Sequence, residues 1–275
     1  MAQPDFDTVK HHLIAAPGAP FDLSQRDSGD RSLFPNKGDA RASLKADAAA
    51  INELQDRLHA NRDRALLVVL QGMDTAGKSG VIRNVFAKTS PLGLQVEAFK
   101  APSKTELAHD YLWRIHQAVP RKGWIGIFDR SHYEDVLVVK VRSFAPAEQV
   151  AQRYEQLNAF EQHLSENGVT ILKFMLNVGY EEQGIRLKER LTEAHKLWKF
   201  NPGDLEDRKL WPDFMAAYQD AVQMCSTEHA PWFVVPADSR TRRNAMIARI
   251  VRGTLENMAL EWPNPGLDPK DYQID

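Results

Sequence analysis

The stretch from Ala65 to Ser79, ALLVVLQGMDTAGKS, constrains this chain more than any other. Ala65-Leu66-Leu67-Val68-Val69-Leu70 is a short continuous apolar run, the pattern of a strand buried on both faces of a parallel sheet. Gly72-Met73-Asp74-Thr75-Ala76-Gly77-Lys78-Ser79 then fits G-x-x-x-x-G-K-[ST], and a helical pattern begins at Ser79. Strand, glycine loop and helix in that order suit an anion. Gly72 and Gly77 let the backbone take positive φ and come close to a ligand. The N–H groups of Thr75, Ala76 and Gly77, with the helix start at Ser79, can then converge on phosphate oxygens. Lys78 adds a cation, and Arg83 a second one along the helix. The plainer alternative is a glycine-containing turn between strand and helix.

More apolar runs follow at Leu94–Phe99, Trp124–Phe128, Thr170–Leu176 and Trp232–Val235. Helical stretches separate them at 79–88, 104–118, 147–167, 180–195, 212–226 and 239–260. This alternation predicts βαβ units and an α/β fold of three layers: a parallel sheet of about five strands with helices on both faces. An amphipathic helix at 46–62 precedes the first strand. Residues 1–45, rich in Pro, Gly, Asp and Ser, read as an irregular arm. The domain that holds the phosphate loop is expected over 46–262, with a C-terminal tail at 263–275. No internal repeat or dividing linker stands out.

Two acidic positions belong with the loop. Asp74 lies inside it, where a bare carboxylate would repel phosphate unless a cation stood between them. A role on Mg²⁺, directly or through water, answers this; a turn Asp capping a backbone N–H is the alternative. Trp124–Asp129 is an apolar strand ending in Asp, the Walker-B arrangement, so Asp129 is expected to share the metal with Asp74 or Ser79. Its alternative is a helix N-cap. Arg130 follows at the rim where open α/β sheets bind ligands, and its planar fork suits a phosphoryl group. Glu134 and Asp135 either face metal waters or the acceptor nucleotide, or favour a helix dipole.

Tyr180–Lys199 carries Arg186 and Arg190 four residues apart, on one helix face, with Lys188, Lys196 and Lys199 nearby. A lid at about 180–212 that closes cations over phosphates fits this pattern; so does an exposed helix laced by pairs such as Glu182 with Arg186. Phe200-Asn201-Pro202-Gly203-Asp204 breaks the helix and offers a hinge.

Composition excludes other classes. The net charge of −2 gives no global attraction to nucleic acid or membrane. The single cysteine, Cys225, precludes an internal disulfide, and fits a cytoplasmic protein. The start of the chain lacks a secretory pattern, and no apolar run approaches the roughly 20 residues of a membrane helix.

Taken together, these residues resemble the polyphosphate kinase 2 family. LLVVLQGMDTAGKSG, FKAPSKTELAHDYLWRIHQAVPRKGWIGIFDRSHYEDVLVV, EEQGIRLKERL, HKLWKFNPGDLEDRKLW and HAPWFVVPAD resemble it in order. The resemblance implies a P-loop kinase fold with a helical lid. It implies phosphoryl transfer, in either direction, between inorganic polyphosphate and nucleotides (ADP, AMP, GDP, GMP), with Mg²⁺ or Mn²⁺ as cofactor. It carries over Asp74 and Lys78 as loop residues, Asp129 and Arg130 as the Walker-B pair, and Arg186, Arg190 and Asp204 in the lid region. SHYEDV looks like the subgroup that accepts nucleoside monophosphates as well as diphosphates. A homo-oligomer, dimer or tetramer, is the expected assembly. The acceptor phosphate is largely ionised at neutral pH, so no general base is expected, and His109, His116 and His132 read as packing or surface residues. The rivals are an ATP-dependent nucleoside monophosphate kinase and a non-enzymatic nucleotide switch.

Overall fold

The structure is a computed structural model that describes residues 3–268 and 271–272. The outermost parts of the expected arm and tail, residues 1–2, 269–270 and 273–275, lie outside the described residues. In chain order the elements are α1 (Phe6–Leu13), β1 (Ile14–Ala15), α2 (Lys37–Asn61), β2 (Ala65–Gln71), α3 (Lys78–Val85), β3 (Leu94–Ala98), α4 (Lys104–Leu107) and α5 (Trp113–Ala118). Then come β4 (Ile125–Asp129), α6 (Val138–Val141), α7 (Ala147–Glu166), β5 (Val169–Asn177), α8 (Tyr180–Thr192), α9 (Gly203–Lys209), α10 (Trp211–Cys225), β6 (Trp232–Pro236) and α11 (Arg240–Asn257).

The strands form one sheet in the order β1-β6-β5-β2-β4-β3, parallel except for β1. Strand β2 is central and all seven of its residues are buried, as its unbroken apolar run requires. Helices α2, α3 and α11 pack together on one face, and α7 and α10 on the other. Five strands were expected; the sixth, β1, is a two-residue antiparallel edge piece whose length is too short to leave a pattern. It covers the exposed edge of β6, a common way to block strand pairing with other chains.

The irregular arm is therefore corrected: it contains α1, β1 and the start of α2. Its backbone is satisfied from afar, which no local pattern encodes. Gln219 and Gln223 of α10 accept from the N–H groups of Leu23 and Phe21. Arg242 of α11 donates to the carbonyls of Phe34 and Pro35. Helix α2 begins nine residues earlier than expected, where the Asn36 side chain caps Gly38 N–H at 2.7 Å. Its buried face carries Ser43, Asp47 and Gln55, and these polar residues break the apolar period. Asp47 is held there by Arg249 and Arg252. The expected helix at 104–118 is two short ones, because Asp110 accepts from Leu112 N–H and restarts the turn.

Below the sheet lies a buried polar knot. Lys173 of β5 donates to Glu161 (2.5 Å), Tyr133 (2.7 Å) and the carbonyl of Cys225 (2.7 Å). Glu161 also accepts from Tyr133 and contacts the His132 ring nitrogen, each at 3.0 Å. His132 is thus a packing residue, as expected. Lys173 and Glu161 are fully buried, so removing one leaves the other as an unpaired interior charge. Lys173→Met is expected to cost about 3–5 kcal/mol, read as a lower urea midpoint at an unchanged slope.

Candidate active site

Parallel pairing sets the geometry at the carboxyl ends of the strands. Leu70 of β2 stands opposite Asp129 of β4, and Arg130 N–H donates to the Leu70 carbonyl at 3.0 Å. The loop leaving β2 and the end of β4 are thereby fixed side by side, so Asp74, Lys78, Ser79, Asp129 and Arg130 line one cavity of about 660 Å³. The local backbone is special at four positions, the first of them Gly72 at φ +147°. Gly77 has φ +102°, while Thr75 and Arg130 each have φ +66° without being glycine. Such a residue costs about 1–3 kcal/mol and clusters at functional sites.

Lys78 is buried and donates to the Gly72 carbonyl at 2.7 Å. An ammonium has three donors, so two remain for the cavity. Burial and then the Arg130 charge push its pKa below the ordinary lysine value, against Asp74, Asp129 and Glu134. Asp74 accepts from Arg130 at 2.6 Å. Burial raises its carboxyl, but Lys78, Arg130 and Arg190 together bring it below the usual range. Burial also opposes the Arg130 charge; Asp74 and Glu134 more than offset it, and the guanidinium stays firmly protonated. Asp129 accepts from the Ser79 hydroxyl at 3.3 Å.

The donors open to a hard cation are the Asp74 and Asp129 carboxylates with the Ser79 hydroxyl. Among the described residues no group of three or more His, Cys, Asp or Glu forms a metal cage. Two carboxylates completed by phosphate oxygens and water is the usual Mg²⁺ arrangement. The buried Thr75 hydroxyl has no partner among the described residues, which leaves the loop a polar group for a ligand oxygen or a metal-bound water.

The model of the family described as "Polyphosphate kinase 2" matches residues 35–263. The chain belongs to the polyphosphate kinase 2 family. It is 46% identical over 252 residues to the AMP/ADP-polyphosphate phosphotransferase of Meiothermus ruber, covering 90% of this chain and 94% of that one. It is 36% identical over 258 residues to the ADP-polyphosphate phosphotransferase of Rhodopseudomonas palustris, covering 90% and 89%. The crystal structure of polyphosphate kinase 2 from Arthrobacter aurescens TC1 superposes with a TM-score of 0.93 at 39% identity, covering 98% of this chain and 96% of that one.

In this polyphosphate kinase 2 chain the remaining expected residues fall in different places. Gly77, Arg83, Arg190 and Lys199 line the cavity with the loop residues. Glu134 lies behind Arg130 at 3.9 Å, where burial raises its carboxyl. Asp135 turns away: it accepts from Arg153 of α7 at 3.2 Å, and burial pushes it up to about 6. The acceptor-site expectation for Asp135 is corrected accordingly; its side chain anchors a helix. Asp204 pairs with Arg190 at 2.7 Å, and burial and the Asp74 charge push it up to about 6.

Arg186 is the sharper correction. The sequence reads it either as a lid cation over phosphates or as a partner of Glu182; it is buried, all its N–H groups point to protein acceptors, and Glu182 is one of them. Nε donates to Glu182, Nη1 to the carbonyls of Thr75 and Ala76, and Nη2 to those of Ala237 and Asp238. The root of the expected lid is thus tied to the back of the phosphate loop. The lid region itself is α8, a 3-10 turn at Ala194–Lys199, and α9. Lys100, Trp198, Arg240 and Arg243 also line the cavity and were not singled out from sequence. For Arg240 and Arg243 the one signal is the cluster Arg240-Thr241-Arg242-Arg243, which reads as an ordinary basic helix start.

Arg186 and Arg190 should separate in experiment. Hydrogen bonds from a charged group are worth about 1.5–3 kcal/mol net. Arg186→Gln is expected to lower unfolding stability by at least about that much. Arg190→Gln removes one charge-assisted bond to the buried Asp204 but leaves an amide donor in its place, so its loss should be smaller than that of Arg186→Gln. Equal losses in urea denaturation would contradict this division.

Proposed function

We propose that the chain transfers phosphoryl groups from inorganic polyphosphate to ADP and AMP, and to GDP and GMP, reversibly and with Mg²⁺. The observation that carries the reading is the charge of the cavity. Ten lysines and arginines line it against three carboxylates, Asp74, Asp129 and Glu189. A single nucleotide phosphate group needs far fewer cations; a chain of phosphates uses them along its length. The family and the names of the two relatives above support the same donor, and the Meiothermus ruber name supports both AMP and ADP as acceptors.

The residues act as follows. Loop N–H groups and Lys78 hold the phosphate nearest β2. Arg130, braced by Asp74, faces the transferring group with its rigid fork. Arg83, Lys100, Arg190, Lys199 and Arg240 line the path of the remaining chain. Asp74, Asp129 and Ser79 would hold Mg²⁺, which when bound neutralises phosphate oxygens. The acceptor oxygen of AMP or ADP is already ionised at neutral pH, since its second pKa lies near 6. No side chain need remove a proton, and in this structure His132, the histidine nearest β4, is locked to Glu161. Catalysis then rests on positioning and on charge in a loose transition state.

Supplying AMP or ADP with Mg²⁺ and either polyphosphate or ATP tests the donor. Product formation with polyphosphate is expected to dominate; turnover of AMP with ATP alone would identify the rival nucleoside monophosphate kinase. Lys78→Ala and Asp129→Ala should each lower turnover by about 10²–10³, the usual effect of deleting a charge-stabilising group, with circular dichroism unchanged. Near-parental rates in both would remove these residues from the site.

A further inference from the structure

Arg243 sits on the first turns of α11, far from every motif in the sequence, yet its guanidinium is wedged under the phosphate loop. It is 1% exposed. A Cβ on Gly77 would lie 2.1 Å from its Nη1, and one on Gly80 3.1 Å from its Nη2. Nη1 donates to the Ala76 carbonyl at 2.6 Å, and Nε and Nη2 donate to Asn244 Oδ1 at 3.1 and 2.8 Å. Its acceptors are neutral: among the described residues no carboxylate lies within ion-pair distance.

The surroundings make this position expensive. The guanidinium lies against the amino end of α3, which is itself the positive pole of a helix dipole. Arg186 donates to the same Ala76 carbonyl. Burial, with the charges of Arg186 and Arg240, pushes the Arg243 pKa down to about 9. A buried cation with no counter-charge is among the costliest arrangements a fold can keep. It becomes favourable when an anion occupies the cavity whose wall it forms.

Resting on the phosphate-transfer reading above, we propose that Arg243 is a positioning residue for the loop-bound phosphate. It does this in two ways. Together with Arg186 it ties the Ala76 carbonyl to the rear of the loop, so that the neighbouring N–H groups face the cavity. It also places a fixed charge behind Gly77, where a glycine alone leaves room for it, and the phosphate supplies the missing counter-charge. Lys78 and Arg130 reach the ligand from the front; Arg243 acts on it from behind.

The experiment compares the parent with Arg243→Met and Arg243→Lys in the full chain, with tripolyphosphate and Mg²⁺ as the probe. Two quantities are read: the rise in thermal midpoint that the probe causes, and KM and kcat for polyphosphate with ADP. Arg243→Met removes the unpaired charge, so its midpoint without the probe is expected at or above the parent's. Its probe-induced rise should fall by more than half. KM for polyphosphate should increase about tenfold or more, equivalent to the 1.4 kcal/mol of a tenfold equilibrium change. Arg243→Lys keeps the charge but not the fork, and should recover part of the rise. A lower midpoint without the probe, with the rise and KM as in the parent, would mark a structural residue and overturn the proposal. If Arg243→Met does not fold, Arg243→Lys decides: KM at least about threefold above the parent's is expected, and equality overturns. Failure of the phosphate-transfer reading is separate, since the parent would then show neither a probe-induced rise nor turnover.

Discussion

Positive charge is gathered at the carboxyl end of the central strand in excess of the carboxylates available to neutralise it, and much of the local structure follows from that surplus. Lys78, Arg130, Arg186 and Arg243 converge there from four different elements, beside the positive end of α3. Desolvation penalises the charges of Lys78, Arg130 and Arg243, and Asp74 and Glu134 oppose it at Lys78 and Arg130, with Asp129 adding to them at Lys78. Gly77 has no side chain because Arg243 fills that space, and Thr75 and Arg130 accept left-handed backbone to keep the loop and β4 in register. Strain, burial and charge are all set against stability at one place, and the paired knot of Lys173 and Glu161 below the sheet shows that the chain balances its interior charges where no ligand is needed.

The arginines around this point do different work although composition cannot distinguish them. Arg186 has no N–H group to spare and serves the loop backbone. Arg190, four residues on, points to Asp204 and to the Lys199 carbonyl, and so joins α8 to the start of α9. The segment proposed as a lid is anchored at α8 through Arg186, while the 3-10 turn that follows carries the exposed Trp198. Anchoring at one end and exposure at the other is what a segment needs if its tip is to swing over a phosphate chain without disturbing the loop beneath it.

The legible parts of the sequence were those governed by local rules. The all-buried β2, the glycine loop and Asp129 at a strand end are short-range patterns, and the structure brings them together as expected. The arm was illegible because Gln219, Gln223 and Arg242 complete its hydrogen bonds from positions some 200 residues away. Arg186 was misread for a related reason: the spacing to Arg190 reports a shared helix face but not which way that face points. Arg243 left no signal at all, because an arginine beneath a glycine looks in sequence like any basic residue opening a helix. Asp135 shows the reverse: adjacent to Glu134 in sequence, it is turned by one 3-10 step toward Arg153.

Asp74 and Asp129 are both expected at the metal, Asp74 directly or through water, and their surroundings separate them. One oxygen of Asp74 is committed to Arg130 by a short, charge-assisted bond, and three cations hold its carboxylate ionised. Among the described residues the Asp129 carboxylate accepts a side-chain hydrogen bond only from the Ser79 hydroxyl, at a distance that marks a weak bond. A hard cation displaces a hydroxyl contact more readily than an arginine, so on the proposed reading Asp129 is the stronger metal donor. Asp74 then works mainly through Arg130. Its negative charge keeps that guanidinium beside Lys78, where two cations would otherwise repel each other, and delivers the fork to the phosphate that the loop holds.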